Sequence, residues 1–208
     1  MKKGVIIFLA TLLGIVIIMV YSIPLQATTP PKNNKRNLTV VLISSKIQNA
    51  EAIAKAARDK AISIVYDFEN TNMRLVNLTL EELTEWKGKK IDHLIFICHG
   101  APGSILLGAK CLIDLKAIQQ NRDEWKFLSR LLNAKAKIDF YGSEIGWGED
   151  GQKLIKTISY LTGAVVRASD DPSGNINDAD WDLEIKTGNG TAPCPINFSQ
   201  LMETPIYF

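Results

Sequence analysis

A histidine and a serine hold the positions from which this sequence could do chemistry. His99 follows the apolar run Ile91 to Cys98 and precedes Gly100, while Ser143 follows Ala136 to Tyr141 and stands directly after Gly142. An imidazole that titrates near neutrality can take a proton from a neighbouring nucleophile, and an alcohol relieved of its proton can attack a carbonyl. The glycine beside each residue allows backbone and substrate to approach where a side chain would block them. The pattern predicts a His99 and Ser143 dyad, with Gly100 and Gly142 lining the substrate path. A plainer role fits the same residues: His99 as a hydrogen-bonded loop residue and Ser143 as a turn residue.

Both positions gain meaning from the elements that carry them. Leu38 to Ser45 is a short β-branched run, and Ile47 to Ala61 after it places Ile47, Ala50, Ile53, Ala54, Ala57 and Ala61 on one helical face. Ile62 to Phe68 reads as a second strand. Thr79-Leu-Glu-Glu82 has the spacing of a capping box and is expected to open a short helix. Ile91 to Cys98 is apolar enough for mid-sheet, and Ser104 to Leu107 with Lys110 to Leu112 suggests a hairpin. Asp114 to Leu132 reads as helix, Ala136 to Tyr141 as strand, and Glu149 to Leu161 as a helix stopped by Gly163. Ala164 to Ala168 and Trp181 to Ile185 supply two more strands. Strands alternating with helices imply an α/β fold, a three-layer sandwich whose mostly parallel sheet of about six strands has helices on both faces. In such sheets sites form beyond the carboxyl ends of the strands, where His99 and Ser143 both fall.

Four stretches together carry a family likeness: His93-Leu-Ile-Phe-Ile-Cys-His-Gly-Ala-Pro-Gly-Ser-Ile-Leu-Leu-Gly108, Ile138-Asp-Phe-Tyr-Gly-Ser-Glu-Ile-Gly146, Leu161-Thr-Gly-Ala-Val-Val-Arg-Ala-Ser-Asp-Asp171 and Asp180-Trp-Asp-Leu-Glu184. From about Leu38 to Gly188 the chain resembles a bacterial domain-of-unknown-function family related to the caspase, gingipain and clostripain peptidases. The resemblance implies a caspase-hemoglobinase fold, a catalytic histidine at His99 and a nucleophilic cysteine after the next strand. That cysteine position falls on Ser143, in Tyr141-Gly142-Ser143. A thiol forms a useful thiolate beside an imidazole, whereas an alcohol needs a better-placed base and a third group to orient it. A site built for sulfur is therefore expected to be weak or dead with oxygen. Cys98 does not replace the nucleophile, because adjacent strand residues point to opposite faces. In the related peptidases acidic residues can read a basic side chain before the cut bond, which would make Asp170 and Asp171 substrate-binding. A turn opened by Asp171-Pro-Ser-Gly174 is the competing role.

Other chemistry has weaker support. Cys98, Cys111 and Cys194 show no ligand spacing, and with His93 and His99 the only histidines a zinc site is not expected. Three free thiols are the first expectation, and if one pair forms in an oxidising compartment it is Cys111 with Cys194. Asn175, Asn177, Asp178, Asp180 and Asp182 are oxygen-rich but lack the glycine-centred spacing of a calcium loop. No metal and no cofactor is expected. Trp147, between Gly146 and Gly148, reads first as a packing residue and second as a residue lying over a ligand.

The 208 residues suffice for one domain with a sizeable core. Lys2 and Lys3 account for the formal net charge of +2, so the chain beyond residue 27 is neutral and no nucleic-acid partner is expected. Those lysines precede the uncharged run Gly4 to Tyr21, about 27 Å long as a helix, which has the layout of a signal peptide or a signal anchor. Pro24 and Ala27 offer a break and a cleavage point. The expected organisation is 1–27 as leader or transmembrane anchor, 28–37 as linker and 38–208 as an extracytoplasmic domain, membrane-bound through residues 4–21 if uncleaved. Two functions follow as expectations. One is a degenerate peptidase that binds a peptide or protein partner; the other is an active hydrolase using Ser143 with His99.

Overall fold

Short β-branched runs with apolar residues on both sides can only be buried on both faces, and the structure places them in the middle of a sheet. The structure, a computed structural model, describes residues 37–57, 61–176, 179–189, 194–201 and 204–206. The expected leader, nearly all of the linker, Asn177 and Asp178 lie outside the described residues. Strands β1 (Thr39–Ser44), β2 (Ile62–Tyr66), β3 (Ile91–Ile97), β7 (Leu132–Tyr141), β8 (Val165–Ala168) and β9 (Ile185–Lys186) form one sheet in the order β2-β1-β3-β7-β8-β9. The first five run parallel and β9 is antiparallel to β8. Strands β4 (His99–Ala101), β5 (Ser104–Gly108) and β6 (Cys111–Ile113) make a separate antiparallel sheet.

Alternation along β3 and β7 splits the core in two. Leu94, Phe96, Cys98, Ile138 and Phe140 pack with α2 (Met73–Lys87), α3 (Leu115–Gln120), α4 (Arg122–Leu131) and α5 (Gly148–Thr162). Val41, Ile43, Ile95, Ile97 and Tyr141 face α1 (Ala50–Ala56) and an irregular segment through Ile196, Leu201 and Ile206. The molecule is thus a three-layer α/β sandwich with a mostly parallel six-strand sheet. On the α1 face an aromatic group closes the layer, with Trp181 stacked on Phe198 at 3.9 Å and Tyr141 tilted against both. Asn175 ties that segment down, donating to the Leu201 and Thr204 carbonyls and accepting from the Ile206 amide.

Several boundaries differ from the sequence reading for identifiable reasons. Helix α2 starts at Met73, where the Asn72 side chain accepts from the Leu75 amide; Thr79 lies inside the helix and its hydroxyl donates to the Leu75 carbonyl. The apolar period Met73, Val76, Leu80, Leu83 already ran that far back. The run from Asp114 is two helices, α3 capped by Asp114 and α4 after a break at Asn121, and Leu132 belongs to β7. Trp181 to Leu183 is not strand; only Ile185 and Lys186 pair with β8. The first expectation for the cysteines, three free thiols, holds, and the Cys111 to Cys194 pair does not form. Cys111 and Cys194 pack against different core clusters on opposite sides of the sheet.

One charged group sits where an apolar residue would be expected. Asp139, fully buried on β7, accepts from His93 on β3 at 2.5 Å and from Arg167 on β8, with Arg167 Nε at 2.7 Å from Oδ1 and its terminal nitrogen on Oδ2. Burial by itself would raise the carboxyl pKa, but the bonds and positive charge of His93 and Arg167 outweigh it and hold Asp139 below its usual range. Its stabilising effect is therefore present at neutral pH and is lost as pH falls through and below the ordinary carboxylate range. Asp139→Ala, which leaves the buried His93 and the partly buried Arg167 without their shared acceptor, is expected to lower stability by about 3–5 kcal/mol. Urea unfolding at neutral pH measures that loss, and a gap between variant and parent that narrows in acid confirms the sign.

Candidate functional site

The chain crosses from β1 to β2 on the α1 face and from β2 back to β3 on the other, so the strand order reverses between β1 and β3. A parallel sheet opens a crevice at such a point, beyond the strands' carboxyl ends. His99 begins β4 at that edge, after Cys98. Its ring lies half-buried by the β1 to α1 loop and is hydrogen-bonded to the Lys46 backbone. Burial, together with the Lys46 charge, pushes the His99 pKa below that of an ordinary histidine, against the opposite pull of that hydrogen bond. That shift favours the neutral imidazole, the form able to accept a proton.

Ser143 comes to the same edge. The Cys98 amide donates to the Tyr141 carbonyl, joining the ends of β3 and β7. A Cβ built at Gly142 would lie 2.4 Å from the Cys98 carbonyl oxygen and 3.4 Å from the Gly100 amide nitrogen. A Cβ at Gly100 would lie 2.8 Å from the Ser143 carbonyl oxygen and 2.3 Å from Ile145 Cγ1. The two glycines thus let the His99-Gly100 and Gly142-Ser143 backbones touch; their close approach is chain against chain, which the expected role in lining a substrate path did not include.

The loop after β8 reaches across and occupies this edge. The Ser173 amide donates to Ser143 Oγ at 3.2 Å, the Glu144 amide to the Asp171 carbonyl at 2.9 Å, and the Gly146 amide to the Ser169 carbonyl at 2.7 Å. Glu144 holds a left-handed φ of 60° to make its bond. The first amide after Ser143, which could otherwise stabilise an oxyanion, is therefore already engaged. The Asp171 carboxylate accepts from Ser169 Oγ at 3.0 Å, and in place of the expected turn over Asp171 to Gly174 the chain there bridges to Asp180 through Ser173. The Asp170 amide donates to Glu184 Oε2 at 3.1 Å.

Carboxylate oxygens of Asp170, Asp171 and Glu184 lie within 4.8 Å of one another, as do those of Asp180, Asp182 and Glu184. Burial first, and then the charges of Asp171 and Asp170, raise the Glu184 pKa. This patch can attract a cation or a basic side chain, and its oxygen donors would suit a hard metal ion. Lys46, Ser173 and Glu184 had escaped the sequence reading. Lys46 was findable, because it follows Ser44 at the carboxyl end of β1, and every such end converges on one crevice. Trp147, 56% exposed between the loop and α5, is not the packing residue its position suggested. Cys98 is fully buried on the far side from His99, its thiol pushed up to about 12 by burial.

The family described as domain of unknown function (DUF4347) matches residues 40–204. A human protein named NMDA receptor synaptonuclear signaling and neuronal migration factor is 30% identical over 151 residues, covering 65% of this chain and 27% of that protein. Its counterpart in Mus musculus is 30% identical over 147 residues, with 64% and 26% covered. The chain thus spans about a quarter of the length of these curated relatives. Among solved structures, a small-chain dehydrogenase covers 64% of this chain and 81% of its own at 13% identity, with a TM-score of 0.36. A prephenate dehydrogenase from A. aeolicus covers 64% and 42% at 15% identity, with a TM-score of 0.30. Likenesses this weak bear on neither mechanism nor ligand.

Two outcomes test the geometry. With only His93 and His99 in the chain, an NMR titration resolves both rings. The His99 midpoint is expected below that of an ordinary histidine, and Lys46→Gln is expected to move it upward by removing the nearby cation. Gly142→Ala is expected to cost about 1–3 kcal/mol, because the new methyl meets the Cys98 carbonyl and one of the two strands must shift. Chemical denaturation measures it.

Proposed function

The chain belongs to the DUF4347 family, and we propose that within it this chain is a caspase-like domain whose peptidase chemistry has lapsed and whose strand-end edge binds a peptide or protein partner. The observation that carries this reading is the loop after β8, which holds Ser143 Oγ and the Glu144 amide through Ser173 and Asp171. A nucleophile and an oxyanion donor already bonded to the protein are poorly placed to meet a scissile carbonyl. The His99 ring, hydrogen-bonded to the Lys46 backbone, has a partner other than a nucleophile. Asp170, Asp171 and Glu184 beside Ser143 favour a partner that presents a basic side chain. The leader pattern of residues 1–27 supports placement outside the cytoplasmic membrane, anchored through residues 4–21 or released near Ala27.

A second reading, a hydrolase using Ser143 with His99, draws on two observations: the backbones carrying the two residues touch, and burial favours the neutral imidazole. Peptide cleavage separates the two. The native chain, Ser143→Cys and His99→Ala are assayed against a mixed fluorogenic peptide library. No turnover is expected from any of the three, because the loop after β8 holds the Glu144 amide whichever residue stands at 143; turnover by Ser143→Cys alone would place the loss in the serine and not in the loop. Cleavage by the native chain that disappears in His99→Ala would establish the hydrolase and sink the binding-module reading.

A further inference from the structure

Away from the strand-end edge, a half-open cleft of about 480 Å³ lies between the start of α2, β6, α3 and α4. That volume lies within the range of small-molecule sites. Its floor is apolar: Met73, Ile113 and Trp125 are each at most 6% exposed. Its rim is polar, with Arg74 on α2 and Lys110 at the β5 to β6 turn. Among the described residues neither cation has a carboxylate partner. The one acid that lines the cleft, Glu124, is engaged by the buried Asn77 side chain, which donates to its Oε2 at 2.8 Å and to its backbone carbonyl at 2.9 Å.

Helix α2 adds to the same bias. It is 15 residues long, has no acidic residue in its first turn, and its amino end lies in the cleft wall. Asn72 caps the Leu75 amide there, but no carboxylate of the first turn offsets the positive end of the helix dipole. There the Met73 amide is hydrogen-bonded to the half-buried Cys111 thiol. The site is separate from the dyad edge, since Leu112 pairs with Leu106 and Leu106 with His99 across three strands, roughly 10 Å.

We propose that this cleft binds a small organic anion, its charged end on Arg74 and Lys110 and its apolar body on Trp125 and Met73. An uncharged compound of the same shape would leave the two cations unanswered, and an inorganic anion would leave the apolar floor wet. Cys111, in the wall, reports occupancy without any assay of activity.

The test follows iodoacetamide alkylation of Cys111 by mass spectrometry in the full chain. Phenylacetate and phenyl phosphate are the anionic probes and 2-phenylethanol is the uncharged one. Saturable protection of Cys111 by either anion is expected, with Cys194, on the opposite side of the sheet, alkylated at an unchanged rate. Arg74→Gln with Lys110→Gln, each protein compared with itself without ligand, is expected to weaken that protection about tenfold. His99→Ala is expected to leave it intact, so the result stands apart from the reading of the dyad edge. Equal protection by 2-phenylethanol, protection unaffected by the double substitution, or no protection by either anion would overturn the proposal.

Discussion

Asp139 is the constraint around which the sheet is organised. A carboxylate with no exposure to water must be neutralised and hydrogen-bonded, and its two partners come from the strands on either side. His93 and Arg167 can both reach it only if β3, β7 and β8 lie side by side in the register observed, in which Asp139 faces Ile95 and Arg167. A slip of one residue in either strand would send a charged side chain to the opposite, wholly apolar face. The ion group therefore selects among registers that hydrophobic pattern alone would leave similar in energy. The aromatic group of Tyr141, Trp181 and Phe198 sits on the same face. Tyr141 is hydrogen-bonded to Cys194 close to Asp139, so the irregular segment is anchored against the polar centre as well as against the aliphatic core.

That register carries through to the candidate site. With β3 and β7 paired to Ile97 and Tyr141, the chain leaves both strands at the same level, and two glycines are needed for the backbones to pass. Once β8 is fixed by Arg167, the loop after it falls across the exits of β3 and β7. Its carbonyls and the Ser173 amide then satisfy the polar groups around Ser143. The same contacts that order this edge remove the free donors that catalysis at Ser143 would need. The Asn175 clamp, two residues beyond Ser173, links the edge to the segment covering the α1 face. Strain at Glu144 is consistent with a loop held by its surroundings rather than by its own preference.

Much of this was legible from residue order. The β-branched runs around Val41, Ile64, Ile95, Phe140 and Val166 became strands, and their alternation with helical stretches was enough to specify a parallel α/β sheet. His99 and Ser143 were placed correctly at strand ends for the same reason. Boundaries failed where two local signals competed, as at Thr79, whose capping pattern lies inside a helix that Asn72 opens. The joint role of His93, Asp139 and Arg167 passed unnoticed because each lies on a different strand. Nothing in a linear pattern says that residues 46 and 28 positions apart share a carboxylate.

By itself the sequence determined the class of fold, the order of its elements and the edge at which chemistry could occur, because hydrophobic periodicity and glycine placement are local properties of the chain. Tertiary structure alone decided what the candidate groups touch. Whether His99 meets Ser143 or Lys46, whether Asp171 is offered outward or spent on Ser169, and whether Cys111 lies near Cys194 all depend on which strands become neighbours. That neighbour relation is long-range, set by register and by the burial of one charge, and it changes hydrogen-bond partners without altering any local pattern.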